Sequence, residues 1–282
     1  MLCIKVMRKH KTSRKGTTTK GKKKSIRKKI YPSSDKPKMM LFGDSITEWA
    51  FDPKYHGWGS ALAHKYARYM DIINRGYAGY NTTLGVPLLK RVLNDDSLID
   101  ILVIFFGAND ASIETLTSVP LNKYRDNLTA MVNYAKSKIK NIKIILITPP
   151  PVHEKTRRKN ALKEGFIKGD QPSPNNTKNV IEYAEVIKEL GKTYGIPVVD
   201  LWLSNNKNSF LPVRSKDFID GLHLSELGNK KLFSILEEVM ISNWSGMFIP
   251  KSKLERQFPK WSDTIKDPRD ILTWTPDGNK SN

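Results

Sequence analysis

Three short segments carry residue types that could do chemistry: Leu41-Phe42-Gly43-Asp44-Ser45-Ile46, Gly107-Ala108-Asn109-Asp110 and Asp220-Gly221-Leu222-His223. They hold a serine, an imidazole, a carboxylate three positions before that imidazole, and a side-chain amide. A serine hydroxyl is a weak nucleophile at neutral pH and needs an adjacent base. The tetrahedral species it forms needs donors already aimed at the oxyanion. The set is that of an enzyme cleaving esters through a serine-bound intermediate. The segments lie far apart in sequence, so the fold must bring them together.

Asp220 precedes His223 by three residues. In a turn or at a helix start, a carboxylate at that spacing reaches one ring nitrogen and leaves the other for the serine. Three oxyanion donors are assigned: the backbone N–H groups of Ser45 and Gly79, and the side-chain amide of Asn109. Gly79 lacks a Cβ and lets a substrate approach its backbone. Each residue also has a plain structural reading. Ser45 could cap a helix, Asp220 to His223 could be a capped loop, and Asn109 could sit in an ordinary turn. Asp44 is read as a turn support rather than as the triad acid. His10, His56, His64 and His153 are read as tail, surface or packing residues.

The elements around these residues follow from apolar patterning. Lys38–Phe42, Asp71–Asn74, Ile99–Phe106, Asn141–Thr148 and Ile196–Leu201 read as strands. Trp58–Tyr69, Leu121–Ile139 and Thr177–Tyr194 read as helices, the last ended by Gly195. Thr82–Leu93 reads as a helix broken early by Gly85 and Pro87. Ser225 is expected to cap a helix from Glu226 to about Met240. Residues 151–176 read as a long, polar, irregular loop. Alternation of strand and helix implies a parallel sheet covered on both faces, a three-layer α/β/α sandwich with five strands. Ligands bind such sheets at the carboxyl ends of the strands. Ser45, Gly79 and Asn109 each fall just past an expected strand end.

The chain has 282 residues, enough for one α/β domain with a good core. Its most apolar stretch, Ile99–Phe106, contains Asp100 and is too short to span a bilayer. The single cysteine, Cys3, excludes an intrachain disulfide and fits a reducing compartment. Five Asn-x-Ser/Thr triplets, at Asn81, Asn127, Asn175, Asn243 and Asn279, are read as chance. The net charge of +20 is uneven, because residues 1–35 hold 13 Lys/Arg against the single acid Asp35. That segment is read as a basic, disordered extension, with the hydrolase domain over 36–282 and residues 244–282 packed on its surface. The basic residues 5–29 would serve as a nuclear-localisation or nucleic-acid-binding arm, as a mitochondrial presequence, or as a solvated extension. The cytoplasm is the expected compartment, with nucleus or mitochondrion as the tail's alternatives. The aromatic C-terminal segment could also cover a second copy, which makes a homodimer an expectation.

The blocks Gly43-Asp44-Ser45, Asn74 to Thr82, Gly107 to Asp110 and Asp220 to His223, in that order, resemble the SGNH (GDSL) hydrolase family. Leu41 to Glu48, Phe106 to Ala111, Asp220 to Ser225 and Thr148-Pro149-Pro150-Pro151 are most similar to its isoamyl acetate-hydrolysing branch. The likeness covers roughly residues 38–275, without the basic tail. It implies a flavodoxin-like sandwich, a catalytic set of Ser45, Asp220 and His223, and Gly79 as the oxyanion glycine. It also implies hydrolysis without metal or organic cofactor. The expected substrate is a small carboxylic ester, such as an acetate. Acetylated sugars, lysophospholipids and thioesters are alternatives at the same site, and a nucleic-acid-associated protein is the alternative of another class. Phe106, Trp49 and the 150s loop are candidate pocket walls.

Overall fold

The computed structural model describes residues 36–93, 98–113, 115–203 and 208–244. The basic extension expected over 1–35, and all but Trp244 of the segment expected to pack over 244–282, lie outside the described residues.

Five strands form one parallel sheet: β1 (Lys38–Gly43), β2 (Asp71–Gly76), β3 (Ile101–Phe105), β4 (Lys143–Ile147) and β5 (Val198–Val199). Their spatial order is β2-β1-β3-β4-β5. β3 is buried at every position, as a central strand covered by helices on both faces must be. Seven α-helices accompany the sheet among the described residues: α1 (Ser45–Glu48), α2 (Trp58–Tyr66), α3 (Thr82–Val92), α4 (Leu121–Lys138), α5 (Glu154–Lys163), α6 (Thr177–Tyr194) and α7 (Glu226–Asn243). Helices α2 and α7 pack together, while α3, α4 and α6 form a second packed series. That division gives the expected three layers.

The chain steps from β1 to β2 on one side, then returns past β1 to build β3, β4 and β5 on the other. Strand order thus reverses at β1, which is the place where open α/β sheets form their crevice. Register sharpens this, since Gly43 pairs with both Gly76 and Phe105. Three neighbouring strands therefore end level, and their outgoing loops carry Ser45, Gly79 and Asn109.

Three local expectations are corrected. Residues 151–176 are not irregular throughout, because α5 occupies Glu154–Lys163. Its only buried residue is Ala161, so no apolar stripe marked it. Nor is α3 broken by Gly85 and Pro87, since it runs unbroken over Thr82–Val92. Pro87 removes only the N–H that Thr83 would accept, and both residues are exposed to water. A side chain at Gly85 would press on Met131 and Phe106, so the glycine sets close packing rather than a stop. Finally, β5 is shorter than Ile196–Leu201, because Pro197 has no N–H and the chain turns at Leu201-Trp202.

Candidate active site

Ser45 is the first residue of α1, immediately past the end of β1, and is 6% exposed. The helix is capped by Asp44, whose carboxylate accepts from the Ile46 N–H at 2.9 Å. Capping by Asp44 leaves the Ser45 hydroxyl free of that task. It lies 2.8 Å from His223 Nε2. The N–H of Ser45 falls in the first helical turn and has no carbonyl within the helix to donate to.

His223 stands in a tight loop ahead of α7. Phe218 bridges to Leu224, and the Ile219 N–H donates to the His223 carbonyl at 2.8 Å. Asp220 divides its two oxygens between folding this loop and holding the ring. Oδ1 accepts the N–H groups of Leu222 and His223, at 2.9 and 2.8 Å. Oδ2 meets His223 Nδ1 at 2.8 Å. A carboxylate there requires the proton on Nδ1 and leaves the Nε2 lone pair facing Ser45. Burial opposes ionisation of Asp220, but the hydrogen bond and charge of His223, with the two N–H donors, hold its carboxyl well below the usual carboxylate range.

Gly221 allows the loop to sit where it does. Its φ is +95°, and a Cβ there would lie 2.4 Å from the Arg157 nitrogen and 2.7 Å from the His153 carbonyl oxygen. Helix α5 thus packs directly on the His223 loop. Arg157 Nη1 lies 3.5 Å from Asp220 Oδ2, and its Nε donates to Asn175 Oδ1 at 3.1 Å. Asn175 in turn donates to the Ala108 carbonyl at 2.9 Å, one residue before Asn109. Nothing in the sequence singled out Arg157, which lies in a polar run without periodicity.

The donor side is built by two turns. Tyr80 N–H donates to Tyr77 O at 3.1 Å, with Gly79 third in that turn at φ +78°. Such a turn needs positive φ at its third residue and leaves the N–H of that residue unused. A Cβ on Gly79 would meet nothing within 4 Å, so conformation rather than crowding favours glycine here. Asn109 donates one side-chain N–H to Tyr80 O at 2.8 Å, which leaves its second N–H for a ligand.

The next residue, Asp110, is fully buried, and its Oδ1 accepts from the Thr82 N–H at 2.9 Å and hydroxyl at 2.5 Å. Burial pushes its carboxyl up to about 6 against those two bonds. Asp44, buried nearby, is pushed up to about 7, chiefly by burial with the Asp110 charge adding to it.

The sheet therefore brings Ser45, Asp220 and His223 into one chain of contacts, with Gly79 and Asn109 linked to each other through Tyr80. Trp49 stacks on the His223 ring, with centroids 4.1 Å apart, and lines a narrow cleft with Ile46, Tyr55, Leu224 and Asn229. Phe106, by contrast, is fully buried against Phe42 and belongs to the core. His56 is largely exposed, and His153 Nδ1 bonds Thr156 Oγ1 at 2.7 Å, so neither joins the site. Three of the Asn-x-Ser/Thr asparagines, Asn81, Asn127 and Asn175, are buried and hydrogen-bonded, which leaves no room for a glycan.

A serine, imidazole and carboxylate in series at the switch point of a parallel sheet define a serine-hydrolase type of site. The model of the GDSL-like lipase/acylhydrolase family matches residues 41–231, and the chain belongs to that family. It is a carboxylic ester hydrolase of α/β architecture. The isoamyl acetate-hydrolyzing esterase 1 homolog of Rattus norvegicus is 35% identical over 254 residues, covering 86% of this chain and 94% of the relative. The isoamyl acetate-hydrolyzing esterase of Saccharomyces cerevisiae is 30% identical, over 85% of this chain and all of the relative. Among solved structures, a lipase/acylhydrolase from Enterococcus faecalis superposes with a TM-score of 0.56 at 27% identity, over 76% of this chain and 98% of that one. Among the described residues, no helix is long and apolar enough to cross a membrane.

Proposed function

We propose that the protein hydrolyses small esters, acetates of alcohols in particular, through an acyl-enzyme on Ser45. The observation that carries this reading is the unbroken series Ser45–His223–Asp220, with both contacts at 2.8 Å. In the proposed mechanism, His223 Nε2 takes the Ser45 proton as Oγ attacks the ester carbonyl carbon. The carbonyl π electrons move to oxygen, and that oxyanion is held by the N–H groups of Ser45 and Gly79 and by the Asn109 amide. Asp220, held ionised, stabilises the imidazolium. As the tetrahedral species collapses, Nε2–H protonates the departing alcohol oxygen and acyl-Ser45 remains. Water then adds in the same way, with His223 removing its proton. Collapse returns that proton to Ser45 and releases the acid.

The acetate assignment is supported by the names of the relatives. The experiment is hydrolysis of p-nitrophenyl esters of increasing acyl length by wild type and Ser45→Ala. Wild type should favour acetate, and Ser45→Ala should lose about 10⁴-fold in kcat with its circular dichroism unchanged. Undiminished turnover in that variant would remove Ser45 from the mechanism. A rate that rises with acyl length would remove the acetate assignment.

We further propose that residues 1–35 are an extension outside the catalytic domain, with residues 5–29 binding polyanions in a salt-dependent way. Deleting residues 1–34 should leave esterase turnover within about twofold, because Ser45, Gly79, Asn109, Asp220 and His223 all follow that segment in the sequence. Homodimerisation and a cytoplasmic location stand as proposals of the same kind. Sedimentation velocity tests the first, and fractionation of cells tests the second.

A further inference from the structure

Glu48 closes α1, one turn beyond Ser45, and its side chain is exposed at the rim of the site. Its Oε2 accepts the backbone N–H of Ala78 at 2.7 Å. Ala78 is the second residue of the turn whose third residue is Gly79, and the carbonyl of its fourth residue, Tyr80, accepts from Asn109. The short run Ala78-Gly79-Tyr80 is therefore held at both ends by side chains that arrive from the two other donor-bearing segments. Glu48 reaches it from the nucleophile helix, and Asn109 reaches it from the end of β3.

We propose that Glu48 is a positioning residue for the oxyanion cradle, tying the Gly79 peptide to the helix that carries Ser45. The inference rests on the assignment of Ser45, Gly79 and Asn109 as donors. Its logic is geometric. A cradle is effective when its donors hold fixed mutual distances before reaction, because the transition state then gains their full interaction without reorganising them. The link from Ser45 along α1 to Glu48, across to Ala78, through Gly79 to Tyr80, and over to Asn109 fixes all three donors relative to one another.

Neighbouring contacts show how closely the two segments are joined. Asn74 donates to the Thr47 and Glu48 carbonyls, both at 3.0 Å, and accepts from the Gly76 N–H at 2.8 Å. A Cβ at Gly76 would lie 1.9 Å from the Glu48 nitrogen. The backbones thus touch at Gly76, while the turn two residues further on has the Glu48 carboxylate as its tether to α1. Tyr77 N–H also donates to the Gly43 carbonyl at 2.9 Å, so without the Glu48 tether the ends of the turn stay anchored and the donors remain present, and what is loosened is the aim of the Ala78–Gly79 peptide between them. Loss of aim costs less than loss of a donor, and it acts on the transition state rather than on substrate binding.

The test is steady-state hydrolysis of p-nitrophenyl acetate by the full chain and by Glu48→Ala, Glu48→Gln, Asn109→Ala and the Glu48→Ala/Asn109→Ala double variant. Thermal unfolding of each is recorded alongside. Glu48→Ala should lower kcat about tenfold with KM within about twofold, whereas Glu48→Gln, whose amide oxygen still accepts the Ala78 N–H, should stay within about threefold of wild type. The double variant should lose less than the product of the single losses, because both changes damage one cradle. If Glu48→Ala folds poorly, Glu48→Lys replaces it: a side chain of similar reach without an acceptor should lower kcat where Gln does not.

Wild-type kcat in Glu48→Ala (or in Glu48→Lys where it stands in), or a Gln variant as impaired as the Ala variant, would overturn the positioning role. A fully multiplicative double variant would do the same. An Asn109→Ala variant with wild-type kcat would instead overturn the oxyanion assignment beneath it. The two failures are therefore distinguishable.

Discussion

At the ends of β1 and β3, the carboxyls of Asp44 and Asp110 are sealed from water with no cation beside them among the described residues, and both are pushed up, to about 7 and about 6. In the loop ahead of α7, Asp220 keeps partial access to solvent and faces an imidazole, and its carboxyl is held far down. The same chemical group is treated in opposite ways within one site. Burial alone raises a carboxyl until it titrates near neutrality, whereas burial beside an imidazole makes it a fixed negative charge. Only the second can support an imidazolium. Asp44 adjoins Ser45 in sequence, yet it has the chemistry of a helix cap. Asp220 is 175 residues away and has the chemistry of a triad acid.

The largest test exchanges the two environments by removing charge from each. Asp220→Asn should cut kcat by about 10³–10⁴-fold, because an amide reverses the tautomer preference of His223 and offers the imidazolium no charge. Asp44→Asn should cost tenfold or less, since its amide oxygen can still accept the Ile46 N–H. Measured kcat values of similar size for the two variants would break the contrast.

A smaller effect concerns stability. The folded pKa values of Asp44 and Asp110 lie above the ordinary carboxylate value, so the native state holds more protons than the unfolded state between about pH 4 and 7. Stability contributed by these groups is full below pH 4 and is lost as pH rises through the folded values. For Asp110 alone the full loss is about 3 kcal/mol. Its Oδ2 has no hydrogen-bond partner among the described residues, which suits the oxygen that carries the proton. Asp110→Asn keeps the acceptor facing Thr82 and cannot ionise. Its stability relative to wild type should therefore improve as pH rises from 4 to 7, read as midpoints of urea unfolding. A constant offset across that range would show Asp110 to be ionised throughout.

Much of this site is legible in the sequence. The sheet announced itself in short apolar runs that stop at Gly43, Gly76 and Gly107, and the switch-point rule placed Ser45, Gly79 and Asn109 on one rim. The three-residue interval from Asp220 to His223 was enough to suggest their contact. What could not be read depends on partners remote in sequence. Helix α5 has no apolar face and is held by polar contacts, so periodicity had nothing to register. Glu48 and Arg157 find their partners in a backbone N–H thirty residues away and a carboxylate 63 residues away, and a charged side chain in a polar run carries no mark of such a partner. The breakers in α3 misled for the converse reason. Gly85 and Pro87 were judged by backbone propensity, while packing on Met131 and Phe106 decides that helix.

Arg157 gives the smallest and most discriminating test of the contrast, because among the described residues it is the one cation placed beside any of the three carboxylates. Its contact with Asp220 is long, at 3.5 Å, and both side chains are mostly buried, at 12% and 15% exposure. An ion pair of that geometry is worth about 0.5–1 kcal/mol, so Arg157→Ala should lower kcat roughly two- to fivefold. A change that small could come from any slight disturbance of α5, and a second variant separates the causes. If Arg157 acts by holding the Asp220 carboxylate in line with His223, its effect disappears once that carboxylate is gone. Arg157→Ala should then change kcat no further in an Asp220→Asn background. If it acts through Asn175 and the Ala108 carbonyl on the donor side, the two losses multiply, since the donors work whether or not Asp220 is charged. The double variant thus assigns Arg157 to one half of the site or the other. It also decides whether α5 supports the ionised carboxylate, as the packing of Gly221 against Arg157 and His153 implies, or the strand ends where Asp44 and Asp110 are buried.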